Sequence, residues 1–153
     1  MSTDGKGGET KVPYQTTILV RDSCLCLHVQ RAARALARRF DDALRPLGLT
    51  NGQFSLMMSL NRPEPAGMAS VASLLAMDRT TLTAALKPLQ RRGLINVTPD
   101  LNDRRGRRLT LTSADMRLLT KAVPIWQQNH AELEDALPGR NGDRLRRDLT
   151  ALV

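Results

Sequence analysis

The sequence predicts a mainly α-helical fold with one small β-hairpin. Aromatic residues make up only 3% of the 153 residues, and the apolar residues are mostly Leu and Ala, which favours helices over a β-sandwich. Apolar residues recur at spacings of three and four along most of the chain. Two short strand-like segments, 94–97 and 109–112, flank a turn-rich stretch. The predicted element order is α-α-α-α-β-β-α-α.

The first elements are an arm and a long helix. Residues 1–16 have no apolar period, so we predict a disordered or loosely docked arm there. A long helix is expected from about Asp22 to Arg45, ending before Pro46. Its predicted buried stripe has helical spacing and consists of Leu25, Val29, Ala32, Leu36, Phe40 and Leu44.

Two shorter helices follow. Thr50 and Gln53 form a capping-box pattern at the start of the second helix, which is expected to run to Arg62. Two prolines and a glycine make 63–67 a loop. The third helix is expected at about 69–76, with 77–78 as a tight turn before the next helix.

The fourth helix, 79–92, begins at Asp78, a residue type that caps helix N-termini. Leu82, Leu86 and Leu89 are expected in the core, and Gly93 ends the helix. Pro88 removes one helical hydrogen bond, so we expect a bend there or a helix whose second half is re-set.

The following hairpin has a strongly basic tip. Eight basic and two acidic residues lie between Arg79 and Arg108, a net of +6 in a chain whose net charge is +8. Clustered positive charge is typical of proteins that bind polyanions. A helix followed by an arginine-tipped hairpin is the plan of a winged helix-turn-helix, in which the hairpin is the wing and the expected partner is double-stranded DNA.

Two further helices are predicted after the hairpin, at 113–137 and 143–152. Their apolar faces, and that of the long first helix, exceed what a winged helix can cover, so we expect a homodimer. The alternative is that the first and last helices pack on each other within one chain. The predicted organisation is therefore an arm at 1–16, dimerisation helices at 17–48 and 113–153, and a winged helix-turn-helix lobe at 49–112.

Several functional classes are disfavoured by the sequence. There is no Gly-rich phosphate loop, Cys-x-x-Cys pair, His-rich metal spacing or convergent catalytic set, so no enzyme, catalytic residue, metal or cofactor is expected. No signal peptide and no apolar run of ~20 residues is evident, so we expect a cytoplasmic protein without a membrane partner.

Two motifs resemble the MarR family of bacterial transcription regulators. The first is Asp78-Arg79-Thr80-Thr81-Leu82-Thr83 followed by Leu89-Gln90-Arg91-Arg92-Gly93-Leu94-Ile95, and the second is Asp103-Arg104-Arg105 leading to Leu109-Thr110-Leu111-Thr112. The resemblance covers about 24–137. It implies a homodimer whose outer helices intertwine, with each recognition helix in a major groove and each wing at a minor groove. It also implies an Asp-x-Arg pair in the wing, here Asp103 and Arg105, in which the acid holds the arginine.

The predicted DNA-binding residues lie on the fourth helix and the wing. Hydroxyls and arginines near a helix N-terminus can contact phosphates, base edges or thymine methyl groups. An ordinary surface or capping role is the alternative for Thr81 and Thr83. We expect Arg105 to enter the minor groove and some of the other wing arginines to contact phosphate only. The full set is Arg79, Thr80, Thr81, Thr83, Lys87, Asp103, Arg104, Arg105, Arg107 and Arg108.

The signal to which such a regulator responds has two candidates. The resemblance implies release from DNA by a small aromatic or phenolic anion, for which His28, Arg31, Arg34 and Trp126 are candidate pocket residues. His28 alone is more often structural, and His130 is expected to be exposed. The second candidate is redox sensing by Cys24 and Cys26, against the commoner role of buried structural cysteines. Two residues apart on a helix, they point in nearly opposite directions.

A further alternative function is a sequence-independent nucleic-acid-binding protein that uses the same basic patch. It differs from a repressor of a pseudo-palindromic operator in the affinity ratio between a specific site and random DNA. RNA recognition is disfavoured, because the basic region lacks aromatic residues for base stacking.

Overall fold

The computed structural model describes residues 11–153. The chain divides into two compact units, one ending at Leu36 and the other beginning at Ala37. The helices of the described part are α1 Tyr14–Ser23, α2 Leu25–Leu44, α3 Asn51–Leu60, α4 Met68–Leu74, α5 Arg79–Arg91, α6 Ser113–Ala136 and α7 Gly142–Thr150. The strands are β1 Ala66–Gly67, β2 Ile95–Pro99 and β3 Arg107–Leu111, and two 3-10 turns lie at Arg45–Leu47 and Pro138–Arg140. The prediction of a mainly helical fold with a small hairpin is confirmed.

The predicted long first helix is wrong at its start. α1 begins at Tyr14, inside the predicted arm, and the chain leaves helical geometry at Cys24, whose ψ is 107°. The Cys24 sulfur then accepts a hydrogen bond from the Leu27 amide at 3.5 Å, which occupies an open amide of α2. Two helices therefore replace one. The rest of the predicted arm, residues 1–10, lies outside the described residues.

The apolar stripe of α2 is exposed over most of its length. Phe40 and Leu44 are buried, as predicted, but Leu25 is 70% exposed, Val29 38% and Leu36 39%. Leu145 and Leu149 on α7 are also exposed, at 43% and 41%. The predicted burial of the stripe is therefore wrong in the single chain for Leu25, Val29, Ala32 and Leu36.

Local sequence signals set several helix ends in the second unit. The Thr50 hydroxyl accepts from the Gln53 amide, and the Gln53 side chain accepts from the Thr50 amide, both at 3.1 Å, so the predicted capping box is confirmed. At α6, the Thr112 hydroxyl accepts from the Asp115 amide at 3.2 Å. Both α5 and α6 continue through their internal prolines, Pro88 and Pro124.

The sheet has three antiparallel strands in the order β1-β3-β2. The predicted hairpin is β2 and β3, with Val97 opposite Leu109 and Thr98 opposite Arg108. β1 falls in the segment predicted as a loop, where Ala66 pairs with Leu109 and Gly67 with Arg108. A two-residue strand has no alternation that a sequence can display, which is why it escaped prediction.

One apolar core holds the second unit together. Its largest fully buried side chains come from all the layers around it and include Leu44, Leu56, Met57, Val71, Leu82, Leu89 and Leu109. Leu82 and Leu89 fix one face of α5 against α4 and the sheet, as the sequence predicted. Among the helices of residues 11–153, none is both long and apolar enough to cross a bilayer.

Candidate nucleic-acid interface

The N-terminus of α5 is capped by Asp78. Its carboxylate accepts hydrogen bonds from the Thr81 amide at 2.7 Å and from the Thr81 hydroxyl at 2.8 Å. The Thr81 amide is the main reason that the pKa of Asp78 is lowered from its ordinary value. The cap fixes where α5 begins and so which side chains its first turn presents.

The two faces of α5 have opposite character. Leu82, Leu86 and Leu89 are buried, with exposed fractions of 0%, 3% and 0%. The opposite face is exposed and carries every site residue predicted on this helix: Arg79, Thr80, Thr81, Thr83 and Lys87. The core-facing leucines therefore direct these residues outward as one surface.

Two of the three threonine hydroxyls on this face are already engaged. Thr81 donates to the Asp78 carboxylate, and Thr83 donates to the Arg79 carbonyl at 2.7 Å. Thr81 therefore takes part in the helix cap, whereas the Thr83 hydroxyl bonds to the backbone one turn earlier within α5. Within residues 11–153, the Thr80 hydroxyl has no hydrogen-bond partner, which leaves its donor free for an external acceptor.

The turn of the wing is fixed by its acidic residues. The Asp103 carboxylate accepts from the backbone amide of Arg105 at 2.9 Å, and its carbonyl accepts from Gly106 at 2.9 Å. A Cβ on Gly106 would lie 3.0 Å from Asp100 Cβ and 3.1 Å from Asp103 Oδ2, so a side chain there would press on both acids. Asp103 thus holds Arg105 by its backbone, whereas the family resemblance implied a hold on the arginine itself.

The four wing arginines separate into two groups. Arg104, Arg105 and Arg107 are exposed, while Arg108 is half-buried and its Nε lies 2.8 Å from Asp100 Oδ2. Arg108 also donates to the Pro65 carbonyl at 3.3 Å. Sequence reasoning missed Asp100 as a partner, because nothing in its local pattern indicates an ion pair across the hairpin.

The recognition helix and the wing meet at Arg79. Its guanidinium donates to the Arg105 carbonyl at 3.3 Å, across 26 positions of sequence. A cleft of about 310 Å³ lies at this junction, lined by the start of α4, Arg79 and the wing turn. Arg79 of α5 and Arg105 and Arg107 of the wing therefore lie around one cleft.

Of the predicted ligand-pocket residues, only Trp126 lines a described cavity. The cavity has a volume of about 580 Å³ and is lined by Phe54, Ser55, Met58, Ser59, Leu74, Leu75, Val123, Trp126 and Gln127. Trp126 stacks on Phe54, with ring centroids 6.2 Å apart, and on His130 at 4.7 Å. His130 is half-buried, so the prediction that it is exposed was wrong.

The other candidate ligand residues lie in the first unit. His28, Arg31 and Arg34 are exposed on α2. His28 Nδ1 lies 2.8 Å from the Cys24 carbonyl, and Arg34 donates to Gln30 at 3.2 Å. These contacts are local ones within the helix and give His28 the structural role that is commoner for a lone histidine.

The two cysteines are free and differ in environment. Cys24 is half-buried at the break between α1 and α2, and Cys26 is exposed in the first turn of α2. The Cys26 sulfur accepts from the Gln30 side chain at 3.1 Å. Because Cys24 is extended, the helical spacing that separated the two thiols in the sequence argument does not apply between them. In the described part of the chain, no group of three or more His, Cys, Asp or Glu side chains is placed to hold a metal ion.

Known regulators are similar to this chain in sequence and in fold. A family model described as MarR family matches residues 49–106, which run from before α3 to the wing turn. The transcriptional regulator MOSR of M. tuberculosis, in complex with DNA, is 38% identical with a TM-score of 0.77, over 84% of this chain and 92% of that one.

Two curated relatives are more distant. The transcriptional activatory protein BadR of Rhodopseudomonas palustris is 32% identical over 93 residues, which are 59% of this chain and 53% of that protein. The match therefore spans about half of that relative's length. The organic hydroperoxide resistance transcriptional regulator of Bacillus subtilis is 28% identical over 101 residues, 66% of this chain and 69% of that protein.

These relatives are transcriptional regulators and not enzymes. The identity to MOSR extends over nearly all of that chain, and the family model coincides with the lobe that carries α5 and the wing. The chain belongs to the MarR family of transcriptional regulators.

Proposed function

We propose that the chain is a cytoplasmic homodimeric repressor that binds a pseudo-palindromic DNA site. In each subunit α5 enters a major groove and the wing reaches the adjacent minor groove. The observation that carries this proposal is the cleft shared by Arg79, Arg105 and Arg107, where the Arg79–Arg105 contact joins helix and wing. Lys87 and Arg104 are exposed on the same two elements. Cations held in fixed positions over both grooves are suited to the phosphate charge and the shape of duplex DNA.

Among the described residues, no acid forms an ion pair with Arg79, Arg104, Arg105 or Arg107. Asp78 is committed to the helix cap, Asp103 to the Arg105 amide and Asp100 to Arg108. Arg104, by contrast, makes no hydrogen bond or ion pair with another residue of the described chain. The exposed cations are therefore free to neutralise phosphates, which releases counterions and makes binding strongly dependent on salt.

A dimer is supported by the apolar faces left exposed in a single chain. The stripe of α2 exposes Leu25, Val29 and Leu36, and α7 exposes Leu145 and Leu149. Exposed apolar surface of this extent is typical of protein–protein contacts. We therefore assign 17–48 and 113–153 to dimerisation and 49–112 to the DNA-binding lobe, with residues before 17 as an arm whose last turn is helical.

The proposal is tested by selecting binding sequences from a random duplex pool. The wild-type chain should enrich a two-fold symmetric sequence with half-sites about 10 bp apart. Arg105→Ala should bind this enriched duplex more weakly, and its logarithmic salt slope should fall by about 0.9, the value of one phosphate contact. Arg117→Ala, which removes an exposed arginine on α6, is the matched control and should keep the wild-type slope.

Two outcomes would contradict the proposal. Equal affinity for the enriched and scrambled duplexes would indicate the sequence-independent nucleic-acid binder instead. An unchanged affinity and salt slope in Arg105→Ala would show that the wing does not contact DNA.

The structure supports an aromatic ligand as the signal for release. The cavity at Trp126 is largely apolar, and its polar groups are the hydroxyls of Ser55 and Ser59 and the amide of Gln127. These groups fit a phenolic hydroxyl, and the Trp126 ring can stack on an aromatic ring. No cation of the described chain lines the cavity, so we propose an aromatic or phenolic compound and assign no partner to an anionic group.

Redox sensing is the second candidate signal. It is favoured by the position of Cys24 at a break between two helices, with Cys26 only two residues away. One of the relatives is named as an organic hydroperoxide resistance regulator. An organic hydroperoxide would oxidise the two thiols to a disulfide and be reduced to its alcohol and water.

One experiment separates the two signals. The complex with the enriched duplex is treated with a phenolic acid or with an organic hydroperoxide, in the wild type and in a Cys24→Ser/Cys26→Ser variant. For an aromatic ligand, the phenolic acid should release DNA from both proteins and change the fluorescence of Trp126, the single tryptophan. Hydroperoxide release that occurs only in the wild type would assign the signal to the cysteines. Release by neither compound would remove both candidates.

A further inference from the structure

Asp100 occupies the root of the wing, where β2 has just ended. Its backbone amide donates to the Gly106 carbonyl at 3.1 Å, which closes the wing turn. Its Oδ1 accepts from the Asn102 amide at 2.9 Å, and its Oδ2 lies 2.8 Å from Arg108 Nε. The side chain is only 14% exposed. Asp100 therefore holds the turn through its backbone and the opposite strand through its carboxylate.

Arg108 connects this root to the helix-turn-helix. It lies on the central strand β3, opposite Thr98 of β2 on one side and Gly67 of β1 on the other. Its Nη1 donates to the carbonyl of Pro65, the residue before β1, across 43 positions of sequence. β1 leads directly into α4, the helix that precedes the recognition helix. One guanidinium thus bonds to the wing and to the start of the helix-turn-helix.

We propose that Asp100 and Arg108 are positioning residues that set the angle of the wing relative to α5, and that Arg108 is not a DNA ligand. This inference rests on the proposed DNA-binding function. To contact a phosphate, the Arg108 guanidinium would have to break its bonds to Asp100 and Pro65. Arg104 has no intramolecular partner within residues 11–153 and would break no such bond. The pair also differs from the pairing implied by the family resemblance, Asp103 with Arg105, in which the structure shows only a backbone contact.

The test uses substitutions for which electrostatics and positioning predict opposite results. Asp100→Asn removes a negative charge beside the DNA surface, so charge alone predicts tighter binding to any duplex. A positioning role predicts weaker binding, by about fivefold on the enriched duplex, because a half-buried ion pair is lost. Affinity for the enriched and scrambled duplexes is measured by fluorescence anisotropy over a range of salt concentrations.

Arg108 is tested against Arg104 as the matched control. Arg104→Gln should lower the salt slope by about 0.9 and weaken both duplexes equally, as a phosphate ligand does. Arg108→Gln should keep the wild-type slope, lose affinity mainly for the enriched duplex, and add little when combined with Asp100→Asn. Arg108→Lys keeps the charge but cannot make both contacts, so it should resemble Arg108→Gln.

The outcomes separate this inference from the proposed function. If the wild type does not prefer the enriched duplex over the scrambled one, the proposed function itself is contradicted. If the wild type is specific, two results would overturn the positioning role. One is tighter DNA binding by Asp100→Asn. The other is a salt slope lowered by one unit in Arg108→Gln together with wild-type affinity in Arg108→Lys. Thermal unfolding of each variant checks that it is folded. If Asp100→Asn does not fold, the Arg108→Lys result decides alone.

Discussion

Asp115 is a carboxyl group whose burial destabilises its charged form. Its side chain is fully buried in the first turn of α6, and neither carboxylate oxygen has a hydrogen-bond partner among the described residues. Burial of the charged form is unfavourable, which raises the pKa of Asp115 from 3.8 to about 6. The Asp115 amide is used in the Thr112 cap, but the Asp115 side chain makes no reciprocal bond to the Thr112 amide.

This position makes stability dependent on pH. The folded state holds the proton up to about pH 6, while the unfolded chain releases it near its ordinary pKa of 3.8. The free energy of unfolding should therefore fall by up to about 3 kcal/mol as the pH rises from 4 to 7.5. In Asp115→Asn this decrease should be absent when the free energy of unfolding is measured by urea unfolding at the two pH values. Asp135→Asn, an exposed acid on the same helix, should retain it, and a wild-type profile in Asp115→Asn would contradict the assignment.

Hydrogen bonds within the chain limit the number of α5 hydroxyl groups that can donate to DNA. Thr81 and Thr83 donate to acceptors within four positions of sequence, as is common for hydroxyls near helix termini. Their hydroxyl donors are already used within the chain, so in the proposed DNA complex we expect these threonines to contribute methyl contacts. We expect Thr80 and Arg79 to supply the hydrogen bonds of the first turn.

At the scale of the element, the end of α5 explains why Pro88 does not interrupt it. Pro88 lies in the last turn, so its missing amide removes only the bond to the Ala84 carbonyl. Beyond it, the Leu94 amide donates to the Leu89 carbonyl and the Gly93 amide to the Gln90 carbonyl, with φ of Gly93 at +68°. This glycine-dependent termination satisfies the last carbonyls and turns the chain into β2. The helix therefore continues through Pro88 to Arg91.

The wing shows the limit of reasoning from strand alternation. Arg107 and Arg108 are neighbours on β3 and differ in exposure, as strand alternation requires. Alternation could not indicate that Arg108 pairs with an acid on the other side of the hairpin, because Asp100 lies in the turn and has no strand register. The ion pair depends on how the turn folds back, where the Asp100 amide donates to the Gly106 carbonyl.

At the scale of the whole molecule, the proposed repressor depends on a dimer that spaces two wings and two recognition helices. Leu36→Glu places a charge on the exposed α2 stripe and should convert the dimer to a monomer in sedimentation equilibrium, because burying an unpaired charge is strongly unfavourable. Its salt slope on the enriched duplex should fall by about half as one of the two lobes leaves the DNA.

The matched control for oligomeric state is Leu101→Glu. Leu101 is fully exposed in the wing turn, away from the proposed dimerisation helices, and its substitution should leave the protein dimeric. A monomeric wild type, or a Leu36→Glu protein that stays dimeric, would contradict the assignment of α2 to the interface.

The helical class, the caps at Thr50 and Asp78, the hairpin and the apolar faces of α2 and α5 could be predicted from the sequence alone. Each of these depends on residues close together in the chain, so spacing and residue type are enough to predict it. Which arginines have intramolecular partners depends on the tertiary structure. The contacts of Arg79 with Arg105 and of Arg108 with Pro65 join residues 26 and 43 positions apart. Such contacts depend on how elements pack, so no local pattern carries them.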